Sequence, residues 1–155
     1  MKRVFFFLFA AVVFTACNSD DDNTLETGDY LIFGHYYGMC AGESCVEIFK
    51  LTDTKLYEDT NDNYSLDNLN FRELDHATFE KVKSLISAVP QELLTDETSV
   101  FGCPDCADGG GLYIQLSQNG TLYTWNIDQT EENVPEYLHN FMDEVNAKIA
   151  VIDNP

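Results

Sequence analysis

Two closely spaced cysteine pairs are the residues of this chain best suited to chemistry. Cys40 and Cys45 have the spacing C-x4-C, and Cys103 and Cys106 have the spacing C-x2-C. Cysteines arranged in this way can form disulfides, bind a metal ion as thiolates, or undergo reversible oxidation. The compartment in which the chain folds decides among these three chemistries.

The metal-binding alternative uses all four thiolates of the two pairs as tetrahedral ligands for zinc. His35, Met39 and Asp105 lie close enough in the sequence to replace one of these ligands. The wide separation between the pairs argues against this alternative, because zinc ribbons usually have shorter separations. We therefore expect no cofactor, with zinc as the alternative.

The redox alternative uses Cys103 and Cys106, whose spacing matches that of thioredoxin-like motifs. In those motifs the first cysteine opens a helix, and the helix N-terminus lowers the pKa of its thiol. Here residues 107–111 (Ala-Asp-Gly-Gly-Gly) lead into a predicted strand instead. The sequence therefore argues against a redox pair.

The acidic segment from Asp59 to Tyr64 begins like a calcium-binding loop, with the pattern D-x-N-x-N. It departs from the EF-hand pattern at two positions: Tyr64 replaces the glycine, and Asn70 stands where a bidentate glutamate is needed. The segment is more typical of a solvated surface loop. Weak calcium binding in another geometry remains open.

The sequence contains no recognisable catalytic set. His35, His76 and His139 are far apart, and each is more typical of a structural or surface position. Neither a Ser/His/Asp order, nor a phosphate-binding loop, nor a nucleotide fingerprint, nor a metalloprotease helix is present. We therefore expect that the protein is not an enzyme.

The N-terminal residues have the layout of a secretory signal. Lys2 and Arg3 precede the apolar run 4–13, and small residues then lead into Cys17. This is a charged region, a short hydrophobic region and a cleavage site. The apolar run is too short to span a bilayer permanently, which takes about 20 residues.

The ending Thr15-Ala16-Cys17 resembles the lipobox of bacterial lipoproteins. The resemblance implies that residues 1–16 are a cleaved signal peptide and that Cys17 becomes the acylated N-terminus, carrying palmitate or a similar chain. The partner of Cys17 is then the lipid bilayer. Two or more acyl chains make such anchoring nearly permanent.

The residues that follow, Asn18 to Asp22, resemble the acidic export tag of Bacteroidota lipoproteins. This resemblance implies a lipid anchor in the outer membrane with the domain on the cell surface, and a domain facing the periplasm is the alternative. Residues 17–28 are polar throughout, so they predict an acidic, flexible tether. The folded domain is expected over residues 29–155.

Export favours disulfides for the four cysteines of the domain, because thiols oxidise outside the cytoplasm. Four cysteines allow three connectivities. Crossed pairs would restrain the unfolded chain by roughly 4 kcal/mol and local pairs by roughly 2 kcal/mol, but local pairs can form sooner. We favour Cys40–Cys45 and Cys103–Cys106 and keep the crossed pairings as alternatives.

The charge composition limits the classes of partner that the protein can bind. The 155 residues include 27 acids and 8 bases, for a net charge of −19, and the loss of Lys2 and Arg3 makes the mature chain more negative still. Such a surface repels nucleic acid, so nucleic-acid binding is excluded. The remaining length suits one domain.

Strand signals occur in both halves of the domain. A run filled with apolar and aromatic residues on both faces predicts a central strand over 30–37, and a hairpin is expected over 45–57 with a short strand at 71–74. A second hairpin turns at Asn119-Gly120, which a type I′ turn prefers. The cross-strand pairs expected from this turn are Leu116 with Tyr123, Ile114 with Trp125, and Leu112 with Ile127.

Two segments have the apolar periodicity of amphipathic helices. The first covers residues 77–88, with Asp75 as its N-cap, and the second starts at Pro135 and continues to the C-terminus. Hairpins with two amphipathic helices predict an α+β fold. We expect one two-layer domain, with an antiparallel sheet of about 5–6 strands and both helices on one face.

These observations predict a surface-anchored lipoprotein whose disulfide-stabilised domain binds a protein or a small molecule. One alternative is a thiolate metal-binding protein that uses the two cysteine pairs. Another is an accessory subunit of an outer-membrane complex. The sequence leaves the ligand, the partner and the oligomeric state open.

Overall fold

The computed structural model describes residues 28–154. Within this part of the chain, seven strands form one sheet and three α-helices pack against it. The strands are β1 (Tyr30–Tyr36), β2 (Val46–Thr52), β3 (Leu56–Asp59), β4 (Phe71–Glu73), β5 (Val100–Phe101), β6 (Gly111–Gln118) and β7 (Thr121–Asp128). The helices are α1 (His76–Val82), α2 (Gln91–Thr95) and α3 (Glu136–Asp153).

The sheet order is β4-β3-β2-β1-β6-β7-β5. Every neighbouring pair of described strands is antiparallel except β5 and β7, which run parallel. The predicted α+β class is confirmed, while the strand count is higher than expected and the sheet is mixed. The extra strand is β5, whose two residues are too few to show an alternating pattern.

The β6–β7 hairpin has the predicted register. Its turn residues Asn119 and Gly120 have φ angles of 52° and 79°, as a type I′ turn requires. All three expected cross-strand pairs are present. Five of the six paired side chains are buried in the core beneath the helices, namely Leu112, Ile114, Leu116, Trp125 and Ile127.

The helical layer follows the predicted periodicity with local differences. Asp75 caps α1 by accepting hydrogen bonds from the backbone amides of Ala77 and Thr78. After Val82 the chain tightens into a 3-10 helix over Lys83–Ala88, where a period of three keeps Val82 and Leu85 on the buried side. The segment 77–88, expected to form a single helix, is therefore an α-helix followed by a 3-10 helix.

The C-terminal helix α3 begins at Glu136, directly after Pro135. Five residues of the apolar stripe predicted for it are buried, namely Leu138, Phe141, Met142, Val145 and Ile149, and the sixth, Ile152, is partly buried against the same core. The short helix α2 was not expected, because five residues give too little periodicity to detect. No helix of the described residues is both long and apolar enough to cross a membrane.

The opposite face of the sheet has a smaller apolar cluster made by Ile32, Tyr36, Val46 and Ile48. The connection between β3 and β4, residues 60–70, packs on this cluster through Leu66 and Leu69. One face of the sheet is thus covered by helices and the other is partly covered by a loop.

Gly34→Ala tests the packing of the central strand. A Cβ on Gly34 would collide with the backbone carbonyl of Glu47 on β2, which cannot move without breaking the sheet. We expect the free energy of unfolding to fall by about 3 kcal/mol, the upper range for overpacking. Urea denaturation of both proteins measures this difference in the free energy of unfolding.

The matched control is Gly28→Ala, since a Cβ on Gly28 meets no atom within 4 Å. This control should leave the denaturation midpoint unchanged. Equal midpoints for Gly34→Ala and the unsubstituted protein would contradict the placement of β1 beside β2.

Candidate functional site

Three loops leave the sheet at the same end. Tyr36 pairs antiparallel with both Val46 and Gly111, which brings the connections 37–45 and 102–110 to this end. Strand β3 runs antiparallel to β2 and ends on the same side, so the loop 60–70 lies beside them. We call these three segments the distal loops. Asp29, the residue directly before β1, lies at the other end of this strand, about 20 Å away for seven residues.

Each cysteine pair closes one distal loop. Cys40 is bonded to Cys45 and Cys103 to Cys106, with Cα–Cα distances of 5.6 and 5.4 Å. This is the local pairing favoured from the sequence. Cys45 is buried, whereas Cys40, Cys103 and Cys106 are exposed. Sulfurs bonded to each other are not thiolates, so this oxidised form offers no zinc ligands from cysteine.

The carboxylate of Asp105 connects all three distal loops. Its Oδ2 accepts hydrogen bonds from the Gly38 amide at 2.9 Å and from the Tyr64 hydroxyl at 2.7 Å. Its Oδ1 accepts from the Gly110 amide at 3.1 Å. Residues that are far apart in the sequence are therefore held by one side chain.

We call Asp105 and the three groups that donate to it, from Gly38, Tyr64 and Gly110, the Asp105 centre, and its electrostatics follow from these hydrogen bonds. The Tyr64 hydroxyl, together with the Gly38 and Gly110 amides, lowers the pKa of Asp105. The same bond to Asp105 raises the pKa of Tyr64. Burial, with smaller effects from Tyr64 and Asp105, raises the pKa of Tyr36 to about 12. Asp105 is thus held as the anion and the tyrosines as neutral phenols.

Aromatic rings pack beneath the Asp105 centre. The ring of Tyr36 lies edge-on to the ring of Tyr64, with 5.6 Å between their centroids. The Tyr36 hydroxyl donates a hydrogen bond to Asn126 Oδ1 at 3.3 Å. A Cβ on Gly110 or Gly111 would collide with the rings of Tyr37 and Tyr36, respectively. The glycines that follow Cys106 therefore allow the loop backbone to lie directly on these tyrosines.

A second carboxylate, Asp128, holds the start of the loop 102–110. It is 4 % exposed, and its Oδ2 accepts from the Cys103 amide at 3.0 Å and from Asn133 at 2.7 Å. Burial opposes ionisation of Asp128, but hydrogen bonds from Thr130, Cys103 and Asn133 outweigh it and lower its pKa. The disulfide loop is thus held by carboxylates on both sides.

The histidines considered in the sequence analysis are not brought together. His35 contacts the Ser44 carbonyl at 3.1 Å, His76 lies 3.8 Å from Glu80, and His139 lies 3.7 Å from Glu131. In residues 28–154, no group of three or more His, Cys, Asp or Glu side chains is arranged to hold a metal ion.

The structure adds residues that the sequence analysis missed. The sequence predicts for Asp105 only the role of a substitute metal ligand, and for Tyr64 only a departure from a calcium motif. The position of Asp105 between two bonded cysteines was the available signal, because a short disulfide loop holds its intervening side chain in place. Nothing in the sequence indicated that Tyr64 would reach it.

A shallow cleft of about 270 Å³ lies at the other end of the sheet. It includes Asp29, so it lies beside the start of β1. The residues that line it are a mixture of acidic, apolar and small polar side chains, among them Asp53, Ile86, Ser87, Leu94 and Ser117.

Residues 1–18 match the family model described as the prokaryotic membrane lipoprotein lipid attachment site. The match includes Cys17 and identifies the chain as a bacterial lipoprotein, anchored in a membrane of the cell envelope. No curated protein matches the chain. The predictions of an acylated Cys17, a signal peptide and a tether up to residue 27 concern residues outside the described part of the chain.

Asp105→Asn tests the connection among the distal loops. The neutral amide is a weaker acceptor than the carboxylate, so the Gly38 and Gly110 amides should exchange hydrogen faster, by about tenfold. Hydrogen–deuterium exchange at these two amides measures the change. Asp108→Asn, an exposed acid in the same loop, is the matched control and should leave both rates unchanged.

Unchanged exchange of the Gly38 and Gly110 amides in Asp105→Asn would contradict the role of Asp105. Faster exchange throughout the sheet would also contradict it, because the substitution would then act on global stability.

Proposed function

We propose that the protein is a non-enzymatic lipoprotein that binds a partner protein through its distal loops. The observation that carries the proposal is their position. The chain enters the domain at one end of β1, and the Asp105 centre lies at the other. With the lipid anchor ahead of the domain, the distal loops can be presented away from the membrane.

The exposed side chains of the distal loops suit a protein partner. Met39 is 81 % exposed and Tyr64 is 48 % exposed. Methionine adapts its shape to a partner surface, and tyrosine contributes both a ring and a hydroxyl. The disulfides and Asp105 hold the backbone beneath them, which reduces the ordering cost of binding.

The location that we propose is the outer surface of the outer membrane. The acidic residues that follow Cys17 support it, since they resemble a surface-export tag. The strongly negative composition supports it as well, because a net charge far from zero keeps an exposed domain soluble. A domain that faces the periplasm is the alternative.

Site-specific photo-crosslinking on intact cells tests this function. A photoreactive residue placed at Met39 should capture one discrete partner, and the same residue placed at Leu122, which is exposed at the opposite end of the sheet, should not. The captured band should disappear when Tyr64→Ala is added, because the substitution removes an exposed contact. Protease added to the same cells should digest the domain if it is on the surface.

Equal capture at both positions, or capture that survives Tyr64→Ala, would contradict binding through the distal loops. Detectable turnover by the purified lipoprotein that is lost on changing one acid or histidine would contradict the non-enzymatic proposal. Free thiols with stoichiometric zinc would instead support the metal-binding alternative. Resistance to protease on intact cells that disappears after outer-membrane permeabilisation would indicate the periplasmic alternative.

A further inference from the structure

Asp59 carries an unusual buried atom. It ends β3, is 2 % exposed, and its Oδ1 accepts a hydrogen bond from the Asn70 amide. Its Oδ2 is the one buried side-chain polar atom in the described residues that has no hydrogen-bond partner. Buried polar groups are nearly always paired, so an unpaired carboxylate oxygen points to a ligand.

In the part of the chain that the structure describes, no cationic side chain forms an ion pair with the carboxylate of Asp59. Its neighbours across the sheet are apolar, with Phe71 paired to it on β4 and Ile48 in the cluster on the same face. A buried charge in such surroundings is unfavourable unless a cation or a proton accompanies it.

The loop that follows Asp59 is closed and rich in oxygen atoms. The amide and hydroxyl of Thr60 both donate to the Asn70 carbonyl, at 2.9 and 3.0 Å, so the loop returns to its start. Asp62, Leu66 and Asn68 have φ angles of 44°, 56° and 56°, which bend the backbone tightly. The segment contains six further side chains with carboxylate or amide oxygens, namely Asn61, Asp62, Asn63, Asp67, Asn68 and Asn70.

These oxygen atoms match the ligand preference of calcium. Calcium accepts carboxylate, amide and main-chain oxygens in flexible geometry, whereas zinc prefers sulfur and nitrogen. The described residues contain no group of three acidic, histidine or cysteine side chains placed for a metal, so amide and main-chain oxygens must complete the shell. A site with so few charges binds weakly.

We propose that residues 59–70 bind one calcium ion, with Asp59 Oδ2 as the buried carboxylate ligand and other oxygen atoms of the loop completing the coordination. The site differs from an EF-hand, because Asn70 holds Asp59 through its backbone amide instead of supplying a bidentate carboxylate. Affinity in the range of extracellular modules is expected, with Kd about 0.1–1 mM.

Calcium would then act on the Asp105 centre. The same loop carries Tyr64, whose hydroxyl donates to Asp105 at 2.7 Å. An ion that orders residues 59–70 would hold Tyr64 in this position. This consequence for partner binding rests on the proposed function, whereas the calcium site itself does not.

Thermal unfolding of the mature lipoprotein in detergent tests the site, with calcium, magnesium or a chelator added. Calcium at ten times Kd should raise Tm by about 3–6 °C, and magnesium at the same concentration should raise it less. Asp59→Asn should lose the calcium shift. Asp53→Asn, an exposed acid in the β2–β3 turn, is the matched control and should keep it.

Hydrogen–deuterium exchange of the unsubstituted protein tests the calcium site even if Asp59→Asn fails to fold. Calcium should slow amide exchange in residues 59–70 and leave the β6–β7 turn unaffected. No calcium-dependent Tm shift, the same shift in Asp59→Asn, or protection spread evenly over the domain would each overturn the proposal. These readouts need no partner, so they are independent of the crosslinking result.

Discussion

The arrangement of the distal loops depends on one carboxylate. Asp105 lies between two bonded cysteines with φ of 59°, a left-handed conformation that is unfavourable for most side chains but tolerated by aspartate. Ala107 and Asp108 share this conformation, at 54° and 61°. The hydrogen bonds that Asp105 accepts from Gly38, Tyr64 and Gly110 accompany this unusual backbone. Strain of this kind persists where the surrounding structure enforces it.

The elements that could be predicted from the sequence are those with a strong local signal. Asn119-Gly120 determined both the turn and the register of β6 and β7, because only one register places Trp125 on the apolar face. The stripe of α3 was equally clear. Residues such as Val100 and Phe101 in β5, by contrast, form a strand only because β7 lies beside them. Their pairing depends on tertiary structure, which no short window of sequence contains.

The candidate site was predictable only in part for the same reason. The local disulfides follow from sequence spacing and export. The contact between Tyr64 and Asp105 joins residues from different loops, and it exists because antiparallel pairing brings those loops to one end of the sheet. Asp59 differs in that the sequence does contain a local signal, the incomplete calcium motif that begins with it. That Asp59 is buried with one unpaired oxygen can be seen only in the folded structure.

An NMR pH titration tests the central claim most directly, by following the Gly38 and Gly110 amide signals. Both amides donate to the same carboxylate, so both signals should titrate together, with one shared pKa below the ordinary aspartate value. The depressed pKa means that this contribution to stability is present above the ordinary value and is lost as the pH falls through the shared one. Separate transitions, or a shared pKa at or above the ordinary value, would contradict the account.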